Sequence, residues 1–149
     1  LSTLHTNDAV SSVVRLMDMG VENYLIANSV IGLVAQRLMK KVCPACGKEV
    51  ETTPSERAFM GFDIPKVKKA VGCPACNDTG YAGRIAIHEI AAVDKGMREL
   101  INRGASVAEI ADYAIQKQGM KTLKQAAVSL VAEGVTTMEE LIKVAYHTV

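Results

Sequence analysis

Cys43-Pro44-Ala45-Cys46 and Cys73-Pro74-Ala75-Cys76, with residues 47–72 looped between them, make a duplicated C-x-x-C couplet. Each tight turn points two sulfurs inward, and two such turns complete a tetrahedron around a soft divalent ion. The spacing predicts a tetrathiolate site for zinc at Cys43, Cys46, Cys73 and Cys76. Four thiolates fill every coordination position and leave none for water. The metal is therefore expected to be structural, tying two chain segments together without doing chemistry.

Other uses of four cysteines weigh less. Two disulfides would suit a small secreted domain, whereas 149 residues at 49% hydrophobic content hold enough core material not to need them. No secretory signal pattern opens the sequence. A redox pair or an iron-thiolate site stays open beside zinc, but the duplicated motif has no thioredoxin-like strand and helix around it. Free thiols beside a metal motif fit a reducing, cytosolic compartment.

Charge and composition exclude several functions. With 17 Lys and Arg against 16 Asp and Glu, the formal net charge is +1, far from that of a strongly basic nucleic-acid binder. Arg37, Lys40, Lys41 and Lys48 crowd the first couplet, and Lys66, Lys68 and Lys69 precede the second; such a patch is most often a solvated face. Two Phe, four Tyr and no Trp leave little surface for stacking on bases. No run of 18 apolar residues is present, so no transmembrane helix is expected.

The chain begins with Leu1 rather than Met, and Leu1-Ser2-Thr3-Leu4-His5 alternates like the end of a strand whose beginning is missing. A fragment of a larger protein is the expectation. Asn7 or Asp8 caps a helix through Val10, Val13, Val14 and Met17 that stops at Gly20. A histidine in the turn between a strand and a helix lies where open α/β sheets bind ligands, although a lone His there is more often structural.

Residues 22–41 are read as one long helix, with Arg37, Lys40 and Lys41 in its last turn. Thr53-Pro54-Ser55-Glu56 opens a short helix through Met60 inside the polar insert, and residues 85–93 form a strand near the metal knuckle. His88-Glu89 lacks the second histidine of an H-E-x-x-H helix, because position 92 is Ala. Four short amphipathic helices follow: Asp94 to Gly104, Ser106 with Glu109 to Gly119, one carrying Leu123 and ending at Gly134, and Thr137 with Glu140 onward, expected as a small bundle. No P-loop, G-x-S-x-G or G-x-G-x-x-G pattern occurs. Residues and spacing alone thus reach a zinc-stapled α+β fragment and go no further.

Several stretches together carry a resemblance: Leu1-Ser-Thr-Leu-His5-Thr-Asn-Asp-Ala9, Ala35-Gln-Arg-Leu38, the two cysteine couplets, Gly80-Tyr-Ala-Gly-Arg84 and Ile87-His-Glu89. In this order and spacing they resemble the C-terminal part of the bacterial type II secretion and type IV pilus assembly ATPases. The resemblance covers nearly the whole chain and is weakest in the insert at 47–72. It implies an α+β, mainly helical chain in three parts. Residues 1–41 would be the end of a RecA-like α/β core with the His box and two helices, 42–92 a tetra-cysteine subdomain with a small β element, and 93–149 a helical C-terminal domain.

The resemblance also implies function. The family's members are cytoplasmic homo-hexameric ring ATPases, docked peripherally on an inner-membrane platform, that drive pilus assembly or protein secretion. Their cofactors are structural Zn2+, with ATP and Mg2+ in the full-length protein. His5 would inherit the catalytic place of the His-box histidine near the γ-phosphate. Arg15 and Arg84 would match ring arginines that approach nucleotide across a subunit boundary. The P-loop and magnesium ligands would lie upstream of Leu1, so this chain alone is expected not to hydrolyse ATP. Retraction ATPases of the superfamily usually lack the four cysteines, which favours an assembly or secretion member. The rival classes are a zinc-ribbon nucleic-acid adaptor and a pure docking module in which His5 is structural.

Overall fold

A computed structural model describes residues 1–147. Contacts divide the chain into two units, one of Leu1–Gln36 with His88–Leu123, the other of Arg37–Ile87 with the described residues from Lys124 onward. The long strands β1 (Gly32–Val42) and β4 (Tyr81–Ala92) pair with each other in a two-stranded sheet. The chain is α+β, with seven α-helices and four strands among the described residues.

In the first unit, the turn after residues 1–6 leads into α1 (Ser11–Asp18) and α2 (Asn23–Ser29). Residues 1–6 themselves belong to no regular element, so the strand end expected there is absent. A strand exists only through its ladder, and no described strand pairs with this segment. Asp8 supports α1 as expected: its Oδ1 accepts the Ser11 N–H at 2.7 Å.

The helix expected over 22–41 is corrected. It stops at Ser29, and residues 32–42 are β1. In β1 the inward positions follow a period of two, with Leu33, Ala35 and Met39 buried while Val34 and Leu38 are exposed. Alternation of this kind is the mark of a half-buried strand. Val30-Ile31-Gly32 at the junction is β-branched and then conformationally permissive, a poor helix interior. Arg37, Lys40 and Lys41 therefore lie on a strand and do not complement a helix dipole.

The helices α4 (Lys95–Arg103) and α5 (Val107–Gln118) complete the first unit, and both begin at the expected caps. Ser106 and Glu109 form a reciprocal capping box, with Ser106 Oγ accepting the Glu109 N–H at 3.2 Å and Glu109 accepting the Ser106 N–H at 3.0 Å. Met97, Ile101, Ile110 and Ala114 fill the core between the two helices, each with no exposed surface.

In the second unit, β2 (Lys48–Glu51) and β3 (Lys66–Lys69) form an antiparallel hairpin around α3 (Pro54–Met60). The helix was legible from its Thr53 cap, which accepts the Glu56 N–H at 3.2 Å; the hairpin was not. The helices α6 (Leu123–Ala132), in this unit from Lys124 onward, and α7 (Met138–His147) follow where the sequence pattern puts them. Thr137 Oγ1 accepts the Glu140 N–H at 3.4 Å. The Glu140 carboxylate does not complete the expected box: one oxygen accepts the Lys40 N–H at 3.0 Å and the other faces Lys143 Nζ at 3.3 Å. Thr136 Oγ1 donates to the Lys40 carbonyl at 2.7 Å, so the turn before α7 pins the end of β1 from the side.

Asp94 gathers more than a helix cap. Its Oδ1 accepts the Met97 N–H at 2.9 Å and the Tyr113 hydroxyl at 3.0 Å, and its Oδ2 accepts Gln118 Nε2 at 3.1 Å. The Met97 N–H above all holds the Asp94 carboxyl below its ordinary value of 3.8. A depressed folded-state pKa contributes stability that is present above 3.8 and is lost as pH falls through the folded value. Asp94→Ala is accordingly expected to cost about 1 kcal/mol at pH 7. In urea titrations at a series of pH values, its deficit against the parent should shrink below pH 3.8.

Candidate metal centre and His5 turn

The backbone around each couplet sets the position of the sulfurs. Gly47 N–H donates to the Cys43 carbonyl at 2.8 Å, and Asp78 N–H to the Cys73 carbonyl at 2.9 Å, closing the two turns. Pro74–Cys76 is a single 3-10 turn, ended by Asn77 and Asp78 in the left-handed region. Cys43 N–H donates to the Gly80 carbonyl at 2.9 Å and brings the knuckles together.

The four Sγ atoms lie within 4.8 Å of one another and form the one such group among the described residues. The separations are 3.9 Å for Cys43 to Cys73, 3.8 Å for Cys46 to Cys76 and 3.7 Å for Cys73 to Cys76. All four thiols are free, with no disulfide among them. A tetrahedron of thiolates with metal–sulfur bonds of about 2.3 Å has edges of about 3.8 Å. The cluster thus has the dimensions for one metal ion such as zinc.

Backbone N–H groups are aimed at the sulfurs as well. Gly72 donates to Cys46 Sγ at 3.3 Å, while Cys73 and Gly80 donate to Cys76 Sγ at 3.3 and 3.2 Å. Such donors orient thiolate ligands and share their charge. Desolvation works against ionisation of Cys76, but the N–H groups of Cys73 and Gly80 outweigh it and bring its pKa down to about 6. At Cys73 the neighbouring Cys76 N–H favours the thiolate. Desolvation and the thiol contacts with Cys76 and Cys46 override it and push the pKa up to about 11.

Gly80 is required by the close approach of the knuckle to residue 70. It has φ +80°, and a Cβ there would come within 2.6 Å of Ala70 Cβ.

In the first unit, His5 is exposed on the turn before α1 and lines an open hollow of about 290 Å³ with Thr6, Asn7, Ser11, Arg15 and Asp18. The structure therefore brings His5 and Arg15 to one surface. Thr6 braces the turn by donating to the Asp8 carbonyl at 3.1 Å and meeting Ser12 Oγ at 3.1 Å. Arg84 lies in the other unit, on a hollow of about 320 Å³ with Lys40, Thr79, Tyr81 and Gly83. Lys40 Nζ there sits 5.7 Å from the Tyr81 ring centroid.

Two features escaped the sequence reading. Asp18 adds a carboxylate to the His5 hollow, and Glu89 places a buried carboxylate beneath the turn. The signal for Glu89 was its phase: Ile87, Glu89 and Ala91 are the inward positions of β4, and a charge at an inward position requires partners.

An α+β chain with a metal-sized thiolate clamp and a braced turn presenting His and Arg is the class that fold and site define. Comparison with known proteins narrows it to a family. Residues 1–143 match the family described as Type II/IV secretion system protein. The type II secretion system protein HxcR of Pseudomonas aeruginosa is 42% identical over 144 residues, covering 97% of this chain and 28% of the relative. The type IV pilus assembly ATPase PilB of Myxococcus xanthus is 42% identical over 149 residues, covering 95% and 26%. The PilB of Thermus thermophilus is 40% identical over 147 residues, covering 95% and 16%. The chain belongs to the type II/IV secretion system protein family and spans about a quarter or less of the length of these relatives. Among the described residues no helix is long and apolar enough to cross a membrane.

The knuckle geometry yields a stability test. Gly80→Ala is expected to destabilise the protein by about 1–3 kcal/mol through the left-handed φ and the contact with Ala70. The measurement is the urea midpoint; a midpoint equal to the parent's would show that the close approach is not a constraint.

Proposed function

We propose that this chain is the part of a hexameric, cytoplasmic, inner-membrane-docked ring ATPase that carries the His box and a structural zinc clamp. The assembly would power type IV pilus assembly or type II secretion, with the membrane platform and the pilus or secretion proteins as its partners. The relationship over residues 1–143 to secretion and pilus-assembly proteins carries this reading. On it, residues 1–41 close a RecA-like core, 42–92 form the metal subdomain and 93–149 the helical domain.

His5 is the catalytic residue in this reading. Its exposed imidazole and the Arg15 guanidinium face one hollow, where both can donate hydrogen bonds to phosphate oxygens. Donors placed where charge develops on the transferred phosphoryl group lower the barrier to its transfer. Arg84, beside Lys40 on its own hollow, supplies cationic surface for nucleotide approached from a neighbouring subunit. ATP with Mg2+ is the substrate of the whole assembly. The chain by itself carries no P-loop pattern and does not turn ATP over.

Zinc is held by Cys43, Cys46, Cys73 and Cys76. The separations of 3.7 to 3.9 Å and the N–H donors to sulfur support a closed tetrahedral site. Bound there, it joins the two ends of residues 47–72 and takes no part in hydrolysis.

In the full-length protein, His5→Ala is expected to lower kcat for ATP hydrolysis by about 100-fold or more. Unchanged kcat would leave a docking module with a structural His5. Elemental analysis is expected to give one zinc per chain, and chelation to lower Tm by roughly 10 °C or more. A zinc content near zero, with a chelator-insensitive Tm, would refute the metal assignment.

A further inference from the structure

Glu89 occupies an inward position of β4 between the buried Ile87 and Ala91 and is 4% exposed. Among the described residues no cation forms an ion pair with its carboxylate. Instead Oε1 accepts the Ala9 N–H at 3.0 Å and Oε2 accepts the Leu123 N–H at 3.0 Å. All three residues belong to the first unit. Ala9 closes the turn that carries His5 and leads into α1, and Leu123 is the first residue of α6. Both amides lie at helix beginnings, where N–H groups lack intrahelical acceptors and the local field favours an anion.

The charge is what makes the two bonds strong, and both lobes of the carboxylate are needed to reach both amides. Ala9 and Val10 are buried at 0% and 1% exposure, so Ala9 N–H would be unpaired without Glu89 and could not turn to water. The turn is tied on the other side by Thr6 and Asp8. His5 and Asn7 face outward from a segment whose intervening and following residues are held inward.

We propose that Glu89 is a positioning residue for His5, acting through the Ala9 amide to fix the turn that presents the imidazole. This rests on the reading of His5 as the residue that faces phosphate. The geometry at a phosphoryl-transfer site tolerates little displacement, so a loosened turn should cost turnover more than nucleotide affinity.

The test uses the full-length protein. Glu89→Gln keeps the shape but presents one acceptor and one donor to two N–H groups. Amide hydrogen exchange in residues 6–12 and 122–126 is expected to speed up about tenfold, and kcat to fall about tenfold with KM for ATP nearly unchanged. Glu89→Asp, charged but too short to reach both amides, should give a smaller loss and serves if the Gln variant fails to assemble. Adding Glu89→Gln to His5→Ala should lower kcat no further than His5→Ala alone. Exchange unchanged in residues 6–12 would overturn the clamp. A full additional tenfold loss in the double variant would overturn positioning through His5 and leave a structural carboxylate. If His5→Ala alone is silent, the catalytic reading of His5 falls, and positioning through it falls too, whatever the exchange data say of the clamp.

Discussion

The meeting of four sulfurs within 4.8 Å of one another governs the second unit. Residues 47–72 bury only Thr52, Met60 and Val67. In β2 no residue is fully buried, and in β3 only Val67 is. A two-stranded hairpin of that kind is marginal in water on its own. Four thiols at contact distance are also in conflict, since ionising one raises the cost of ionising the next. The opposed shifts of Cys73 and Cys76 express that conflict. A divalent cation at the centre would remove it by making every thiolate favourable at once. Such an ion would then fix both ends of the insert.

Buried carboxylates do a related job without metal. Glu89 in the first unit accepts the Ala9 and Leu123 N–H groups, and Glu140 in the second accepts that of Lys40. An isolated buried charge would cost several kcal/mol, and charge-assisted bonds to N–H groups offset that cost. Apolar residues at these positions would fill the volume and leave the amides unpaired. Both carboxylates therefore specify where a backbone segment sits, a task for which hydrophobic burial has no directionality.

Features written in adjacent residues were legible in the sequence. Thr53, Asp94 and Ser106 each cap the helix that follows, and the couplet spacing gave the sulfur cluster. Features set by distant partners were not. The stretch from Leu33 to Met39 satisfies a helical spacing at some positions and a strand spacing at others, and pairing with β4 decides between them. The β2–β3 hairpin is nearly all Lys, Glu and Val, so its pattern carries no apolar face. At the candidate site, His5 drew notice from its place before a helix and gained a role only from resemblance. Glu89 looked like half of a protease motif until the strand phase turned it inward.

The charge around His5 places a condition on the ATPase reading. Arg15 contributes a fixed positive charge to the hollow, and Asp18 on the same face a negative one. A triphosphate brings more negative charge than His5 and Arg15 can offset against Asp18. Under that reading the hollow is one wall of a site, and the cations that complete it come from other parts of the ring. The braced turn suits such a wall. It presents few donors, in an open hollow, at positions fixed from behind by Thr6, Asp8 and Glu89. Fixed geometry with incomplete charge is what a catalytic surface needs when it should act only after its neighbours have closed around the nucleotide.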